Sequence, residues 1–233
     1  GAGFVGRHFT NFFLKNGDNV TVVDSLAKFT GGLDPNQWPN TNPKDFKTFT
    51  FVKSDCRDWF KKNNISDFDY VFHLAAMVGG REIIENNPII VADDLSIDSQ
   101  FWQWATQNMP KKVIQFSSSA CYPVEFQKSE NYVLLKEEMI DFSKEIGVPD
   151  LTYGWAKLTS EYLGRVAYDK YGLKSVCYRP FSGYGEDQDI NYPFPSICKR
   201  ILSNINSPKI QVWGSGNQMR DFIHIDDCVE GVI

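Results

Sequence analysis

Five short apolar runs, each the length of a β-strand, recur along the chain with helix-length amphipathic stretches between them. The runs are Asn19–Asp24, Thr48–Val52, Tyr70–Leu74, Lys112–Ser117 and Ser175–Arg179. The main helical patterns are Phe4–Leu14, Ser96–Gln107 and Trp155–Tyr171. Strands rich in Val, Ile and aromatics, joined by helices, need crossover connections, so the pattern predicts βαβ units and a parallel sheet covered on both faces. The expected class is α/β, with a doubly wound parallel sheet over residues 1–180. Beyond Arg179 the rhythm breaks and prolines accumulate, which predicts a smaller substrate-binding region over residues 181–233. Lys28–Phe46, with Pro35, Pro39 and Pro43 among Asn, Thr and Gly, reads as a surface loop.

The chain opens on Gly-Ala-Gly-Phe-Val-Gly, the turn and helix start that follow a strand in such a unit. Gly3 and Gly6 are spaced so that backbone can approach a pyrophosphate and the helix can pack closely on the sheet. Asp24 closes the next strand 21 residues after Gly3, where a carboxylate accepts hydrogen bonds from an adenosine ribose. A carboxylate there repels a 2′-phosphate, which favours NAD over NADP. The other reading of Asp24 is a cap on the turn after the strand. The opening turn has no strand before it, and the chain stops at Val232-Ile233 inside an apolar helical pattern. A first strand and the rest of the substrate region are therefore expected outside this sequence.

Tyr153-Gly-Trp-Ala-Lys157 places a phenol and an ammonium at i and i+4, on one face of a helix. An isolated tyrosine is too weak a base at neutral pH, and a neighbouring lysine favours its phenolate. Upstream by 34 residues, Ser117-Ser118-Ser119-Ala-Cys-Tyr-Pro leaves a strand end. Its serines either cap a loop or orient a substrate. Cys121 is either a small core residue or an acid/base on the same loop.

In this order the motifs resemble the extended short-chain dehydrogenase/reductases, specifically their nucleotide-sugar epimerase/dehydratase branch, with a Rossmann-type fold. Gly3 and Gly6 match the second and third glycines of its GxxGxxG fingerprint. Asp55 of Ser-Asp-Cys-Arg matches an adenine-contacting aspartate, and His73-Leu74-Ala75-Ala76 the small-residue strand end beneath the cofactor. The resemblance implies NAD held by Gly3, Phe4, Val5, Gly6, Asp24, Asp55, Cys56, Leu74, Ala75, Ala76, Tyr153 and Lys157. It implies catalysis by Ser119 (with Ser118 as the other candidate), Tyr153 and Lys157. Cys121 resembles the extra acid/base of GDP-mannose 3,5-epimerases and GDP-L-fucose synthases, although this loop is one residue shorter than Ser-Ala-Cys-Ile-Tyr-Pro. Arg179-Pro-Phe-Ser-Gly-Tyr-Gly185 and Trp213-Gly-Ser-Gly-Asn-Gln-Met-Arg220 match two substrate segments, which implies that Ser119, Ser182 and Arg220 contact a nucleotide sugar. A homodimer is implied as well.

The expected function is an NAD-dependent epimerase that acts on a nucleotide-diphosphate sugar through a transient 4-keto intermediate. A UDP-sugar 4-epimerase, a 4-reductase or decarboxylase, and a non-catalytic NAD-binding sensor or scaffold are the alternatives. With 24 basic against 29 acidic side chains and no basic run, a nucleic-acid partner is not expected. No apolar stretch reaches the ~18 residues of a membrane span. Five scattered cysteines form neither a CxxC pair nor a disulfide framework, which predicts a reducing, cytoplasmic setting, and the three histidines offer no zinc pattern.

Overall fold

The computed structural model describes all residues except 29, 78–80, 128–131, 212–215 and 218, and the side chain of Glu82. Helix α1 (Phe4–Lys15) leads into β1 (Val20–Asp24), and β2 (Phe49–Lys53) pairs with β1 in parallel. After α2 (Cys56–Lys62) come β3 (Tyr70–His73), the short helices α3 (Arg81–Asn86) and α4 (Pro88–Val91), α5 (Asp93–Asn108) and β4 (Lys112–Phe116). The long α6 (Leu151–Tyr171) precedes β5 (Ser175–Tyr178), and β3, β4 and β5 form a parallel ladder with β4 central. β6 (Ser182–Tyr184), α7 (Pro193–Ser203), β7 (Phe222–His224) and α8 (Ile225–Val232) complete the chain, with β6 and β7 parallel. Among the described residues no helix is long and apolar enough to cross a membrane.

All observed pairings are parallel, as the strand-and-helix rhythm requires, but among the described residues the strands lie in three ladders of two, three and two strands. Residues 113–116 of β4 are all buried, because helices cover both faces. On one face Val113 joins Trp59, Phe101, Trp102, Trp104 and Leu173 from α2, α5 and the end of α6. On the other, Ile114 and Phe116 pack with Phe9 of α1 and with Ile225, Cys228 and Val229 of α8. Each such ring or branched side chain, fully buried, contributes roughly 1.5–3 kcal/mol.

Two elements differ from the sequence reading. Residues 28–46 are not a plain surface loop. Pro35 and Pro43 each start a 3₁₀ turn capped by the preceding Asp34 or Asn42. Both prolines and Trp38 are buried, Trp38 against Ala2 and Val22, and its indole N–H donates to the Leu33 carbonyl at 3.0 Å. The amphipathic stretch expected from Trp155 begins at Leu151, so Tyr153 and Lys157 both lie in the first two turns of α6. Gly172, at φ 73°, closes this helix in the left-handed conformation that suits glycine.

Candidate active site

At the start of α1, Gly3 occupies the N-cap with no side chain satisfying the first-turn N–H groups. Those donors and the helix dipole make an anion cradle. Gly6 cannot be replaced without movement: a Cβ there would lie 2.1 Å from the Gly1 carbonyl oxygen. Helix and turn therefore meet backbone to backbone at Gly6, which fits the approach of a dinucleotide pyrophosphate to the first turn, Phe4–Gly6. Asp24, at the end of β1, receives the Ala2 N–H at 2.7 Å and the Leu26 N–H at 2.8 Å. Its carboxylate thus ties the glycine turn to the strand end.

Asp55 caps α2 by accepting the Arg57 N–H at 2.8 Å. The Arg57 guanidinium also grips it, at 3.0 Å from Nε and 2.7 Å from Nη2, and reaches Asp93 at 2.7 Å. Arg57 holds the Asp55 carboxyl below its ordinary value against the opposing effect of burial. Burial, reinforced by the Asp55 charge, pushes the neighbouring Cys56 thiol up to about 11. Leu74, the first residue after β3, packs in the core between α1 and α8, and Ala75 and Ala76 continue the strand end.

Tyr153 and Lys157 do share one face of α6, with the Lys157 ammonium 5.8 Å from the centre of the Tyr153 ring. Burial pushes the Tyr153 phenol up; Lys157 and the Ser118 hydroxyl pull it back. Burial works against the charge on Lys157, but Tyr153, Asp98 and Asp94 hold the ammonium well above its usual range. The serine turn docks here because the residue after Tyr153 is glycine. A Cβ on Gly154 would lie 2.4 Å from the Ala120 carbonyl oxygen. Of the two candidate serines, Ser118 has its hydroxyl beside the Tyr153 phenol and also accepts the Ala120 N–H at 3.2 Å. Ser119 opens the 3₁₀ turn, its backbone N–H reaching the Pro180 carbonyl at 3.4 Å.

Cys121 faces inward. It is fully buried, with Sγ 3.0 Å from the Ser117 hydroxyl. Ser117 donates its own proton to Glu161, so the thiol is the donor here, with the Ser117 oxygen at 3.0 Å and the Gly154 carbonyl at 3.9 Å as its acceptors. Burial first, and then the Glu161 charge, push the Cys121 thiol up to about 12. Glu161 is in turn held by Arg179. The reading of the sequence missed this Cys121–Ser117–Glu161–Arg179 chain. The available signal was Glu161, which continues the i, i+4 row of Tyr153 and Lys157 along α6.

A second buried network was also missed. The His73 Nε2 lies 2.6 Å from Asp98 Oδ1, and the His73 ring stacks on Phe101 at 3.9 Å and 4°. Asp94, one turn before Asp98 on α5, accepts the Met77 N–H. Among the described residues, no group of three or more metal-ligating side chains converges.

The two substrate segments meet where β6 pairs with β7, and the first of them reaches the serine turn through Pro180. Ser182 begins β6 and donates its N–H to the Asp221 carbonyl at 3.2 Å. Arg220 is exposed, with its guanidinium on the Met219 carbonyl at 2.8 Å. Residues 212–215 and 218 of the expected diphosphate-contacting stretch lie outside the described residues. His224 caps α8, its ring nitrogen accepting the Asp226 N–H at 3.3 Å.

The sequence profile of the NAD dependent epimerase/dehydratase family matches residues 1–233, the whole chain. The chain belongs to the NAD dependent epimerase/dehydratase family. Among solved structures, a UDP-N-acetylglucosamine 4-epimerase from Methanobrevibacter ruminantium M1, in complex with UDP-N-acetylmuramic acid, superposes with a TM-score of 0.78. It is 28% identical, over 99% of this chain and 69% of that one. A UDP-glucuronic acid 4-epimerase from Bacillus cereus, in complex with UDP-glucuronic acid and NAD, gives a TM-score of 0.74. It is 25% identical, with 99% and 69% covered. GDP-mannose 3,5-epimerase 1 of Oryza sativa subsp. japonica is 30% identical over 172 residues, which span 71% of this chain and 43% of that protein. As a member of this family the chain uses NAD, and the glycine cradle and the pairing of half-buried Tyr153 with buried Lys157 are the features that fit it.

Proposed function

We propose that this family member inverts C4 of a nucleotide-diphosphate sugar by way of a transient 4-keto sugar. The observation that carries the proposal is the Tyr153–Lys157 pair on one face of α6, with the serine turn seated on Gly154 beside it. Tyr153 takes the proton of the C4 hydroxyl and later returns it; Lys157 keeps that phenol within reach of ionisation. Ser118 or Ser119 orients the sugar O4, and the helix dipole of α1 with Asp24, Asp55, Cys56 and the 74–76 segment holds the dinucleotide. When bound, NAD supplies a reversible hydride acceptor. Ser182 and Arg220 contact the substrate, with Arg220 suited to a diphosphate by its planar fork of donors. Residues 1–180 form the dinucleotide-binding unit and 181–233 belong to the substrate-binding part.

A second reading, 3,5-epimerisation with Cys121 as the added acid/base, is favoured by the likeness to the rice GDP-mannose 3,5-epimerase. Two features support C4 inversion instead: Cys121 is inaccessible and its thiol is held protonated. The two structural relatives described above are also UDP-sugar 4-epimerases. Incubating the enzyme with UDP- and GDP-sugars in D₂O, followed by NMR, separates the readings. An inverted C4 without ring deuterium supports the proposal, and deuterium at C3 or C5 supports the alternative. NAD binding without conversion of any sugar would leave a non-catalytic sensor or scaffold.

A homodimer in a cytoplasmic setting completes the proposal. Exposed Ile89 and Ile90 of α4 and Trp155, Tyr162 and Tyr168 of α6 support the first, and five free cysteines the second. Analytical ultracentrifugation tests the dimer.

A further inference from the structure

Residues 185–192 join β6 to α7 and continue the Ser182 segment, which starts beside the serine turn, where the Ser119 N–H reaches the Pro180 carbonyl at 3.4 Å. Apolar packing holds the first residue of this loop: a Cβ on Gly185 would lie 2.7 Å from Ile225 Cγ2 and 3.0 Å from Phe4 Cζ. Farther along, Glu186, Asp189 and Ile190 are exposed. Asp187 instead points inward, its side chain 5% exposed, and α1 holds both of its carboxylate oxygens. Arg7 donates to Oδ2 at 3.3 Å from Nε and 2.9 Å from Nη2, and His8 Nε2 lies 2.7 Å from Oδ1. Arg7 Nη2 also donates to the Asp187 carbonyl at 3.3 Å, and its Nη1 to the Ala2 carbonyl of the glycine turn at 3.0 Å. One buried guanidinium thus touches both the turn that receives the dinucleotide and the loop that continues the substrate segment. Burial pushes the Asp187 carboxyl up, but His8 and Arg7 outweigh it and hold the group below its ordinary value.

Apolar side chains of the same volume commonly fasten a loop as firmly as a buried ion pair, because taking two charges out of water offsets most of their attraction. What this pair adds is direction, since the planar fork of a guanidinium meets a carboxylate in a narrow range of geometries. We propose that Asp187 is a positioning residue: clasped by Arg7 and His8, it docks the 185–192 loop on the dinucleotide-binding helix and so sets the affinity for the nucleotide sugar. The loop is seated before substrate arrives, and the ordering that binding would otherwise require is met in the free protein. The partners of Asp187 lie on α1 and not in the Tyr153–Lys157 pair, so the clasp acts on binding rather than on the chemical step. The inference rests on the proposed function in taking the Ser182 segment to contact substrate.

Asp187→Asn keeps the shape of the side chain and removes its charge. On the UDP- or GDP-sugar that the enzyme converts, it should raise KM about tenfold or more, with kcat within about threefold of wild type. Calorimetry on the NAD-loaded protein should show the same loss for UDP or GDP alone, while NAD affinity stays within about threefold. A variant that merely loosened α1 and the glycine turn would lose NAD as well. Asp187→Glu, which returns the charge, should lie closer to wild type than Asp187→Asn. If Asp187→Asn fails to fold, His8→Gln, which spares the Arg7 pair, carries the test with a KM rise of about threefold. An unchanged KM and nucleoside diphosphate affinity, or a parallel loss of NAD affinity, in whichever variant folds overturns the proposal. If the wild type converts no sugar but binds UDP or GDP, and the variant loses that binding, the functional reading falls and this inference stands. A wild-type protein that binds neither UDP nor GDP overturns both.

Discussion

Arg179 grips Glu161 with two prongs of its guanidinium, Nε at 2.9 Å and Nη2 at 2.7 Å, joining the end of β5 to the middle of α6. The Glu161 side chain is 4% exposed and also accepts the Ser117 hydroxyl. Through Ser117 the pair reaches Cys121, so a buried ion pair sets the base of the loop that meets Tyr153. Breaking one member of a buried pair leaves an uncompensated charge, commonly at a cost of about 3–5 kcal/mol.

Arg179→Leu should therefore lower stability by about 3 kcal/mol, seen as a reduced urea midpoint with an unchanged slope. Arg179→Lys, which keeps the charge but loses the fork, should fall between the two.

Tyr153→Phe should reduce kcat by about 10²- to 10⁴-fold while nucleotide-sugar affinity, measured by calorimetry, changes little, because only the proton-transfer group is lost. A variant that retains most of the turnover would remove Tyr153 from the mechanism.

Cys121→Ser should leave C4 inversion within about threefold of wild type, since the thiol is protonated and enclosed. In the native protein a thiol reagent should label exposed Cys198 promptly and Cys121 only on unfolding. Rapid labelling of Cys121 would contradict its enclosure.

Acid should act on stability in two opposed steps. Burial raises Asp94 above its unfolded value of 3.8 to about 6, so its ionisation destabilises the fold, and stability should rise slightly as pH falls from about 6 to 4. Asp98 is also pushed up by burial, but His73 and Lys157 outweigh this and hold it below 3.8. A depressed carboxyl contributes stability above its unfolded value and loses it as pH falls through its folded one, so the fold should weaken steeply below about pH 3.8. Urea midpoints between pH 3 and 7 report both limbs. Asp94→Asn should flatten the first and leave the second.

Gly154→Ala should lower kcat at least tenfold with a smaller loss of stability. The added methyl would sit 2.4 Å from the Ala120 carbonyl and must push the serine turn away from Tyr153. Steady-state kinetics beside a denaturation curve distinguish this from general unfolding.

The parallel strands and the Tyr153–Lys157 face were legible because both rest on periodicity: apolar runs of strand length, and an i, i+4 spacing. The Cys121 environment was not legible. A cysteine two residues after a serine gives no direction for its thiol, which here is decided by Glu161 and Arg179, 40 and 58 residues downstream. The division into three ladders, and the burial of Pro35, Pro43 and Trp38 in a proline-rich loop, likewise depend on packing that local composition does not record. Which of Ser118 and Ser119 turns its hydroxyl toward Tyr153 depends on the turn itself, since adjacent residues differ only in which way the 3₁₀ geometry aims them.

The contact of Gly154 with the Ala120 carbonyl has a consequence for the activation parameters of the reaction. The approach of the serine loop to Tyr153 is set by main chain against main chain, so the relative placement of the two hydroxyls is completed when the protein folds and little of it is left to rotamer search at each turnover. Ordering that would otherwise be repeated in every catalytic cycle is met once, during folding. The chemical step should then have an activation entropy close to zero, and substitutions that loosen this one contact should make it markedly negative.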